Sequence, residues 1–263
     1  MTGRLNGKRV VLVGAGQSPG ATMGIGRATA LLFAKEGARL LLVDRDPAGA
    51  ADTVSMMEPG GGDVSVLEAD VTRAGDCEDL AQAARSRLGG VDVLFNSVGI
   101  LGPGLAADVT EDVWDTVIET NLKAMWLVAK HVLPIMVEQQ GGSFVAVSSI
   151  GAERGGTSTV YGVSKAGVSR LVKSIASTYG QHNIRANAIL PGLIDTPMAI
   201  DAAVAGTDMG RDELARDREA LVPMAYKGSA ADVACAALFF ASDESRYVSG
   251  ACLPVDGAVM AAR

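Results

Sequence analysis

The chain has 263 residues, of which 48% are hydrophobic, 20% charged and 4% aromatic, and its formal net charge at pH 7 is −7. This composition indicates a globular protein, and the excess of acidic residues argues against a nucleic-acid partner. No apolar run reaches the ~18 residues of a membrane span, so we expect no membrane partner. The amino-terminal stretch MTGRLNGKRV lacks a long apolar core, which argues against a secretory signal and for a cytoplasmic protein. The scattered cysteines and two distant histidines predict no metal site.

A strand, a glycine-rich turn and a helix are predicted at the start of the chain. The apolar run Val10–Val13 is typical of a buried strand, and RATALLFAKEG, which ends at Gly37, has the periodicity of an amphipathic helix. The turn between them contains Gly14, Gly16, Gly24, Ile25 and Gly26. A backbone without side chains lets a pyrophosphate approach closely, and the helix amino terminus favours its charge. Glycines also make ordinary turns, but the flanking strand and helix favour the phosphate site.

Asp44 follows the second predicted strand, Arg39–Val43. It lies beyond Gly26 at close to the ~20 residues expected of a carboxylate that binds the adenosine ribose. A carboxylate at this place accepts hydrogen bonds from both ribose hydroxyls and repels a 2′-phosphate, which predicts NAD, with NADP less favoured. Two alternatives remain open: Asp44 as the cap of the helix that starts in DRDPAGA, and Arg45 as the partner of the 2′-phosphate in NADP.

Strands and helices alternate along the rest of the chain. Short apolar runs predict further strands at Val64–Leu67, Val91–Phe95, Phe144–Val147, Ile184–Leu190 and Cys252–Val255. Glu111–Gln139 has helical periodicity throughout. The alternation predicts one α/β domain over residues 1–263, a Rossmann-type doubly wound parallel sheet with helices on both faces. The acidic stretch Pro197–Lys227 interrupts it, and we expect this stretch to be a lid over the substrate.

The stretch from Phe144 to Lys165 carries the candidate chemistry. Ser148 and Ser149 end a predicted strand, at the edge where open α/β sheets bind ligands. Tyr161 and Lys165 are four residues apart in a predicted helix, so they share one face. A neighbouring ammonium favours the phenolate, which takes a proton from an alcohol while a hydride leaves its carbon, and a serine hydroxyl holds the same oxygen. The alternative is a solvated lysine one turn after a half-buried tyrosine.

In their order along the chain, these motifs resemble those of the short-chain dehydrogenase/reductase family over essentially its whole length. The other matching segments are Asp70-Val71, Asn96 through Gly99, Asn121, Pro191-Gly192 with Thr196, and VSGACLPVDG near the end. The resemblance implies a seven-stranded doubly wound sheet, NAD(P)-dependent chemistry on CH–OH groups and a homotetramer.

The resemblance also implies roles for individual residues. Tyr161 would be the acid/base, and Lys165 would lower its pKa and hold the nicotinamide ribose. A serine would orient the substrate oxygen, and Asn121 would support a proton relay through water. The implied cofactor contacts run from Asp70 and Val71 at the adenine, through Asn96 and Gly99, to Ile194 and Thr196 at the carboxamide, with Pro191 and Gly192 beside them.

Two places depart from the family pattern: the residue before the first glycine of the turn, and the spacing between the catalytic serine and the tyrosine. Val13 replaces a threonine that usually precedes the first glycine. Counting back from the tyrosine points to Ser148, whereas alignment of the strand end points to Ser149. We favour Ser149, because a strand fixes register more firmly than a loop keeps its length.

The glycine-rich loop is six residues longer than the family usually has, with nine residues between Gly14 and Gly24. Such a loop is similar to that of the enoyl-reductase branch, but that branch has a wider Tyr-x6-Lys spacing, so its activity is not transferred. We expect Gln17–Met23 to lie against the pyrophosphate and adenosine ribose, with the Ser18 and Thr22 hydroxyls available to them. The alternative is a solvent-facing loop without cofactor contact.

The sequence therefore predicts an NAD-dependent oxidoreductase that interconverts a secondary alcohol and a ketone, both small molecules. One alternative is an NADPH-dependent carbonyl reductase of the 3-oxoacyl type, with Arg45 at the 2′-phosphate. Another is a non-catalytic, nucleotide-binding redox sensor, which the presence of both Tyr161 and Lys165 disfavours. Steroids, sugars, acyl thioesters and small cyclic alcohols remain open as substrates, because the pocket belongs to the Pro197–Lys227 segment.

Overall fold

The computed structural model describes residues 3–58, 63–156, 158–205 and 208–262. The strands in these residues are β1 Arg9–Val13, β2 Arg39–Asp44, β3 Val64–Glu68, β4 Val93–Asn96, β5 Gly142–Val147, β6 Ile184–Pro191, β7 Ile194–Asp195, β8 Gly228–Ser229 and β9 Cys252–Val255. The helices are α1 Ile25–Lys35, α2 Pro47–Ser55, α3 Ala74–Ala83, α4 Glu111–Ile118, α5 Ala124–Gln139, α6 Thr159–Tyr179, α7 Ala202–Val204, α8 Arg211–Ala220 and α9 Ala230–Ala241.

Seven of these strands form one parallel sheet in the order β3-β2-β1-β4-β5-β6-β9. The chain leaves β1 in one direction through β2 and β3 and returns to its other side at β4, so the strand order reverses between β1 and β4. Val13 pairs with Val43 on one side and with Asn96 on the other, which brings three strand ends together. Ligands bind at such a reversal. The predicted fold class, a doubly wound sheet of about seven strands, is confirmed.

The sheet is held by two apolar layers, one on each face. Successive residues of β1 alternate between them, with Val11 and Val13 in one cluster and Val10 and Leu12 in the other. All four are at most 1% exposed. Burial of each such side chain contributes about 1.5–3 kcal/mol, which explains why strands this short and this apolar form the centre of the molecule.

Two predicted boundaries shift for local reasons. The fourth strand begins at Val93 rather than at Val91, because the side-chain amide of Gln139 occupies both backbone groups of Val91 at 2.8 Å. The predicted helix Glu111–Gln139 is continuous but contains a π-helical turn at Glu119–Lys123 between α4 and α5. This turn contains Asn121, and π-helical turns are frequent at functional sites.

No helix in the described part of the chain is long and apolar enough to cross a lipid bilayer. The same residues contain no group of three or more histidine, cysteine or acidic side chains placed to hold a metal ion.

The first helix approaches the end of β1 so closely that only glycine fits at Gly26. A Cβ atom there would lie 1.7 Å from the carbonyl oxygen of Gly14. We predict that Gly26→Ala lowers the free energy of unfolding by about 3 kcal/mol or more, because the helix or the turn must move. Gly75→Ala is the matched control: a Cβ on Gly75 has no neighbour within 4 Å. It should be neutral or stabilise by about 0.5–1 kcal/mol, since alanine favours a helix. Equal urea midpoints for the two variants would contradict the close approach.

Candidate active site

A cavity of about 580 Å³ opens at the carboxyl ends of β1, β2, β3 and β4. Its volume is in the range of small-molecule and cofactor sites. The predicted cofactor-binding residues that line it are Gly14, Gly16, Gly24, Ile25, Asp44, Asp70, Val71, Gly99 and Thr196. Six other predicted cofactor-binding residues do not line it: Asn96, Tyr161, Lys165, Pro191, Gly192 and Ile194. Asn96 is fully buried in the sheet, where its Oδ1 accepts a hydrogen bond from the Val98 N–H and shapes the turn after β4.

Asp44 lies at the carboxyl end of β2 and fixes the glycine-rich turn. Its Oδ2 accepts a hydrogen bond of 2.7 Å from the Gly16 N–H, and its Oδ1 accepts one of 3.0 Å from the Asp46 N–H. The cap of α2 is Asp46, whose side chain accepts a hydrogen bond from the Ala48 N–H, so Asp44 does not cap this helix. A carboxylate has about four lone-pair sites, so Asp44 keeps capacity for two ribose hydroxyls. Arg45 lines the same cavity.

The far wall of the cavity is formed by the turns after β3 and β4. Asp70 Oδ1 accepts hydrogen bonds from the Thr72 hydroxyl and N–H, at 2.7 and 3.0 Å, and these bonds lower the pKa of Asp70. Gly99 contacts the catalytic face: a Cβ there would lie 3.0 Å from Lys165 Nζ. Three features fit a bound dinucleotide: the glycine-rich turn, Gly99, and the Asp44 carboxylate at close to the ~20-residue spacing expected of a group that binds the ribose.

The enlarged loop divides into two halves with different neighbours. Gln17, Ser18 and Pro19 line the cavity, and Gln17 Oε1 accepts a hydrogen bond of 2.8 Å from the Gly24 N–H. The second half of the loop, residues 20–23, does not line the cavity. A Cβ on Gly20 would lie 2.6 Å from the Pro197 side chain, and the Thr22 hydroxyl donates to Asp195 Oδ1 at 3.1 Å. The expectation that Thr22 offers its hydroxyl to the phosphates is therefore wrong, because a buried carboxylate already takes it.

Asp195 connects this loop to the segment predicted as a lid. Its side chain is 4% exposed and has Arg211 Nη2 at 2.5 Å from Oδ1 and Lys227 Nζ at 2.5 Å from Oδ2. Arg211 Nε also lies 3.2 Å from Asp201 Oδ1. Burial alone would raise the pKa of Asp195, but hydrogen bonds from Lys227, Arg211 and Thr22 outweigh it and lower the pKa. Asp195 thus holds the segment near its middle, at Arg211, and at its end, at Lys227.

Ser149, Tyr161 and Lys165 meet at the carboxyl end of β5. Ser149 follows the strand, and its hydroxyl lies beside the Tyr161 ring: a Cβ on Gly151 would be 3.4 Å from Ser149 Oγ and 3.7 Å from Tyr161 Cε1. The Lys165 ammonium lies one turn further along α6, 5.8 Å from the centre of the Tyr161 ring. It is buried, and its Nζ donates a hydrogen bond of 3.0 Å to the Val147 carbonyl. The solvated lysine of the alternative interpretation is therefore excluded.

Ser148, the other candidate serine, has a structural position. Its hydroxyl donates to the Lys165 carbonyl oxygen at 2.8 Å and lies 3.0 Å from the Ser169 hydroxyl. Neighbouring residues of a strand point to opposite faces, so only one of the two serines is able to reach Tyr161. The structure places Ser149 there.

The pKa values of the tyrosine and the lysine are both shifted by burial. Burial raises the pKa of Tyr161, while the hydrogen bond with Ser149 and the positive charge of Arg218 lower it in part. Burial lowers the pKa of Lys165 to about 8. In the protein alone, the groups that lower the Tyr161 pKa are therefore Ser149 and Arg218, a role that the resemblance assigns to Lys165.

Asn121 is buried in the π-helical turn, and its side-chain amide is fully engaged. Its Oδ1 accepts a hydrogen bond of 2.7 Å from the Ile100 N–H. Its Nδ2 donates to the Ile100 carbonyl and to the Ser164 hydroxyl, both at 3.0 Å. Ser164 in turn donates to the Tyr161 carbonyl oxygen. With both amide hydrogens used, the Asn121 side chain positions the backbone around Tyr161 and has no hydrogen left to donate to a water.

Comparison with known proteins agrees with this geometry. A family model described as enoyl-(acyl carrier protein) reductase matches residues 20–259. The 3-oxoacyl-(acyl-carrier-protein) reductase FabG of Thermotoga maritima is 35% identical over 98% of this chain and 99% of its own length. The chain belongs to the short-chain dehydrogenase/reductase family. Its relatives also include the 2,5-dichloro-2,5-cyclohexadiene-1,4-diol dehydrogenase LinX of Sphingobium indicum, 32% identical over 98% of both chains.

Solved structures of the family superpose closely on this short-chain dehydrogenase/reductase. One from Burkholderia xenovorans has a TM-score of 0.94 at 38% identity and covers 99% of both chains. Levodione reductase has a TM-score of 0.91 at 33% identity, covering 98% of this chain and all of the other. The protein is therefore an oxidoreductase that acts on CH–OH or carbonyl groups with a nicotinamide cofactor, as its relatives are.

Four charged residues near the site were missed from the sequence: Asp195, Arg211, Arg218 and Lys227. Loops and short helices separate them along a polar stretch of the chain, and its sequence predicts that every charged side chain in it is exposed to solvent. No periodicity distinguishes the buried ones, because their burial depends on how the segment folds back onto the glycine-rich loop.

The two serines of this short-chain dehydrogenase/reductase should separate turnover from stability. We predict that Ser149→Ala lowers kcat by roughly ten- to a thousandfold, the scale of one lost oxyanion-type donor. Ser148→Ala should mainly lower the free energy of unfolding, by about 1–3 kcal/mol, because it leaves buried partners unsatisfied. Steady-state kinetics and urea denaturation of both variants measure the two effects. A larger loss of kcat in Ser148→Ala than in Ser149→Ala would reverse the assignment.

Proposed function

We propose that the protein is an NAD-dependent oxidoreductase that interconverts a secondary alcohol and a ketone, with Tyr161 as the acid/base. The observation that carries the proposal is the position of Ser149 beside the Tyr161 ring, one helical turn before the buried Lys165 ammonium. A hydroxyl pair beside a buried cation suits a reaction in which an oxygen gains or loses a proton.

The nicotinamide group supplies the hydride acceptor for alcohol oxidation and the hydride donor for carbonyl reduction. Ser149 donates its hydroxyl hydrogen to the substrate oxygen and holds it beside Tyr161. In oxidation, Tyr161 Oη takes the hydroxyl proton of the alcohol as the hydride leaves the neighbouring carbon. In reduction, the same oxygen returns a proton to the carbonyl oxygen.

Lys165 and Asn121 assist in different ways. A buried ammonium close to the phenol favours the phenolate, and this effect is larger in a dry site than in water. Asn121 acts as a positioning residue, because its amide fixes Ile100 and, through Ser164, the backbone of Tyr161. In a proton relay through water, Asn121 contributes its backbone, because both hydrogens of its side-chain amide are already donated to Ile100 and Ser164.

Asp44 selects NAD over NADP in this proposal. Its carboxylate lines the cavity with lone pairs left over for the ribose hydroxyls, and it repels a 2′-phosphate. The second candidate is an NADPH-dependent carbonyl reductase, which the adjacent Arg45 favours because an arginine binds phosphate well. The FabG relative, named as a 3-oxoacyl reductase, supports the same alternative. A redox sensor without catalysis has no comparable support, because the catalytic residues are assembled.

The proposal also covers the domain organisation, the lid over the substrate and the oligomeric state. We treat residues 1–263 as one domain in which Pro197–Lys227 covers the substrate, supported by Thr196, Pro197 and Met198 in the cavity wall. We also propose a homotetramer. Large apolar side chains that are 37–45% exposed on α4 and α5, Trp114 and Trp126, support contacts between copies.

Tyr161→Phe should lower kcat by about a thousandfold or more while NADH binding changes little, because only the hydroxyl moves a proton. The matched control is Tyr179→Phe, the same change at the carboxyl end of the same helix. Rates are followed by NADH absorbance with a panel of alcohols and ketones, and binding by NADH fluorescence. If Tyr161→Phe keeps a tenth of the wild-type kcat, the acid/base assignment is wrong.

Asp44→Ala should narrow or invert the preference for NAD over NADP in kcat/KM. The variant loses hydrogen bonds to the ribose hydroxyls and no longer repels the 2′-phosphate, so Arg45 becomes free to bind it. Asp52→Ala, which removes an exposed carboxylate from nearby α2, controls for the change in net charge. A wild-type enzyme that already prefers NADP would show that the second candidate function is correct.

A further inference from the structure

Arg218 is a half-buried cation whose side chain donates no hydrogen bond to any of the described residues. It lies on α8, and its Nε is enclosed without a hydrogen-bond partner among the described residues. Burial lowers the pKa of Arg218, and the negative charge of Asp195 raises it in part. Removing a guanidinium from water without an acceptor costs free energy. A bound anion offsets this cost.

The nearby carboxylates are already neutralised by other cations. Asp195 pairs with Arg211 and with Lys227, each at 2.5 Å, and Asp201 pairs with Arg211 at 3.2 Å. Among these five groups, two carboxylates stand against Arg211, Lys227 and Arg218, so the positive charges outnumber the negative ones by one; Asp201 Oδ2 is also enclosed without a hydrogen-bond partner among the described residues. Asp212 also lies 4.0 Å from Arg211, but its side chain is 93% exposed, so water screens its charge.

The excess charge lies beside the reacting group. The positive charge of Arg218 lowers the pKa of Tyr161, and the phenolate of Tyr161 would raise the pKa of Arg218 in return. Such mutual effects require the two side chains to be near each other, since charge effects in proteins fall off with distance. Helix α8 packs against the turn Pro197–Asp201, whose first residues line the cavity. Helix α8, which carries Arg218, thus lies on the side of the cavity that is formed by the turn Pro197–Asp201.

We propose that Arg218 binds a carboxylate of the substrate, so that the substrate is an oxo acid or hydroxy acid. The proposal rests on the proposed function, because the reacting oxygen must lie on Ser149 and Tyr161. A planar guanidinium holds a carboxylate by two parallel hydrogen bonds, which fixes the carbon chain between the carboxylate and the reacting carbon. One excess charge suits a monoanion. A phosphate monoester would bring a second negative charge toward Asp195, which opposes it.

The test compares acids with their neutral esters. Freshly prepared 2-, 3- and 4-oxopentanoate and their methyl esters are reduced with NADH and with NADPH, which varies the spacing between carboxylate and carbonyl. Arg218→Gln removes the charge, and Arg218→Lys keeps the charge without the planar pair of donors. The matched control is Arg216→Gln, because Arg216 lies on the same helix, is exposed and bonds only to the Asp212 carbonyl.

We expect the wild-type enzyme to prefer the acid over its ester by about tenfold or more in kcat/KM for at least one pair. Arg218→Gln should lower kcat/KM for that acid by about 30-fold or more, mainly through KM, with the ester nearly unchanged. Arg218→Lys should fall between, and Arg216→Gln should match the wild type. The preferred acid should also raise the melting temperature of wild type with bound cofactor, but not of Arg218→Gln.

The pH profile gives a readout that a merely structural role of Arg218 would not change. With an ester as substrate, Arg218→Gln should move the pH dependence assigned to Tyr161 upward, because the positive charge that lowers its pKa is gone. An enzyme that prefers the ester in every pair, or a variant in which acid and ester lose equally, would overturn the proposal. A change confined to the KM for the cofactor would show that Arg218 binds the cofactor instead. The proposal is also overturned if the enzyme reduces none of the compounds and no acid raises its melting temperature. If an acid raises the melting temperature but no compound is reduced, only the proposed function is contradicted.

Discussion

The ammonium group of Lys165 lies inside the protein with one hydrogen-bond acceptor, the Val147 carbonyl oxygen at 3.0 Å. Burial lowers its pKa to about 8. The surroundings are arranged around it: β5 ends at the accepting carbonyl, Gly99 leaves the space that a Cβ would take, and Ser148 fixes the backbone of the lysine. A change in any of these contacts moves the cation relative to Tyr161.

The parallel sheet makes this arrangement available to a cofactor. Because the strands run in one direction and pair in register, the turns after β1, β2, β3 and β4 meet along one edge and form a single cavity. The glycine-rich turn, Asp44 and the catalytic helix come from distant parts of the sequence, yet they depend on the same strand ends. The family relationship and the geometry agree here, because the family uses a nicotinamide cofactor and the cavity fits a dinucleotide.

The segment Pro197–Lys227, which we propose as a lid, is held to the rest of the protein by charge pairs as well as by buried apolar side chains such as Ile200 and Val222. Asp195 binds Arg211, Lys227 and the Thr22 hydroxyl, so the enlarged glycine-rich loop and the lid form one connected wall. A wall of buried charges is also where an unmatched cation has the largest effect, and Arg218 is placed in it. If Arg218 binds the substrate as we propose, its affinity for a carboxylate depends on how these charges are paired.

The sequence by itself determined the sheet, the glycine-rich turn, Asp44 at the end of β2, and the shared helix face of Tyr161 and Lys165. These features depend on local periodicity and spacing, which a strand or helix preserves wherever it is placed. It also favoured Ser149 over Ser148, because the register of a strand is fixed more firmly than the length of the loop that follows it. Only the tertiary structure decided which polar groups are buried together: Thr22 with Asp195, Asn121 with Ile100, and Arg218 near Tyr161. Burial and charge pairing arise from segments far apart in the chain, and no spacing within one segment records them.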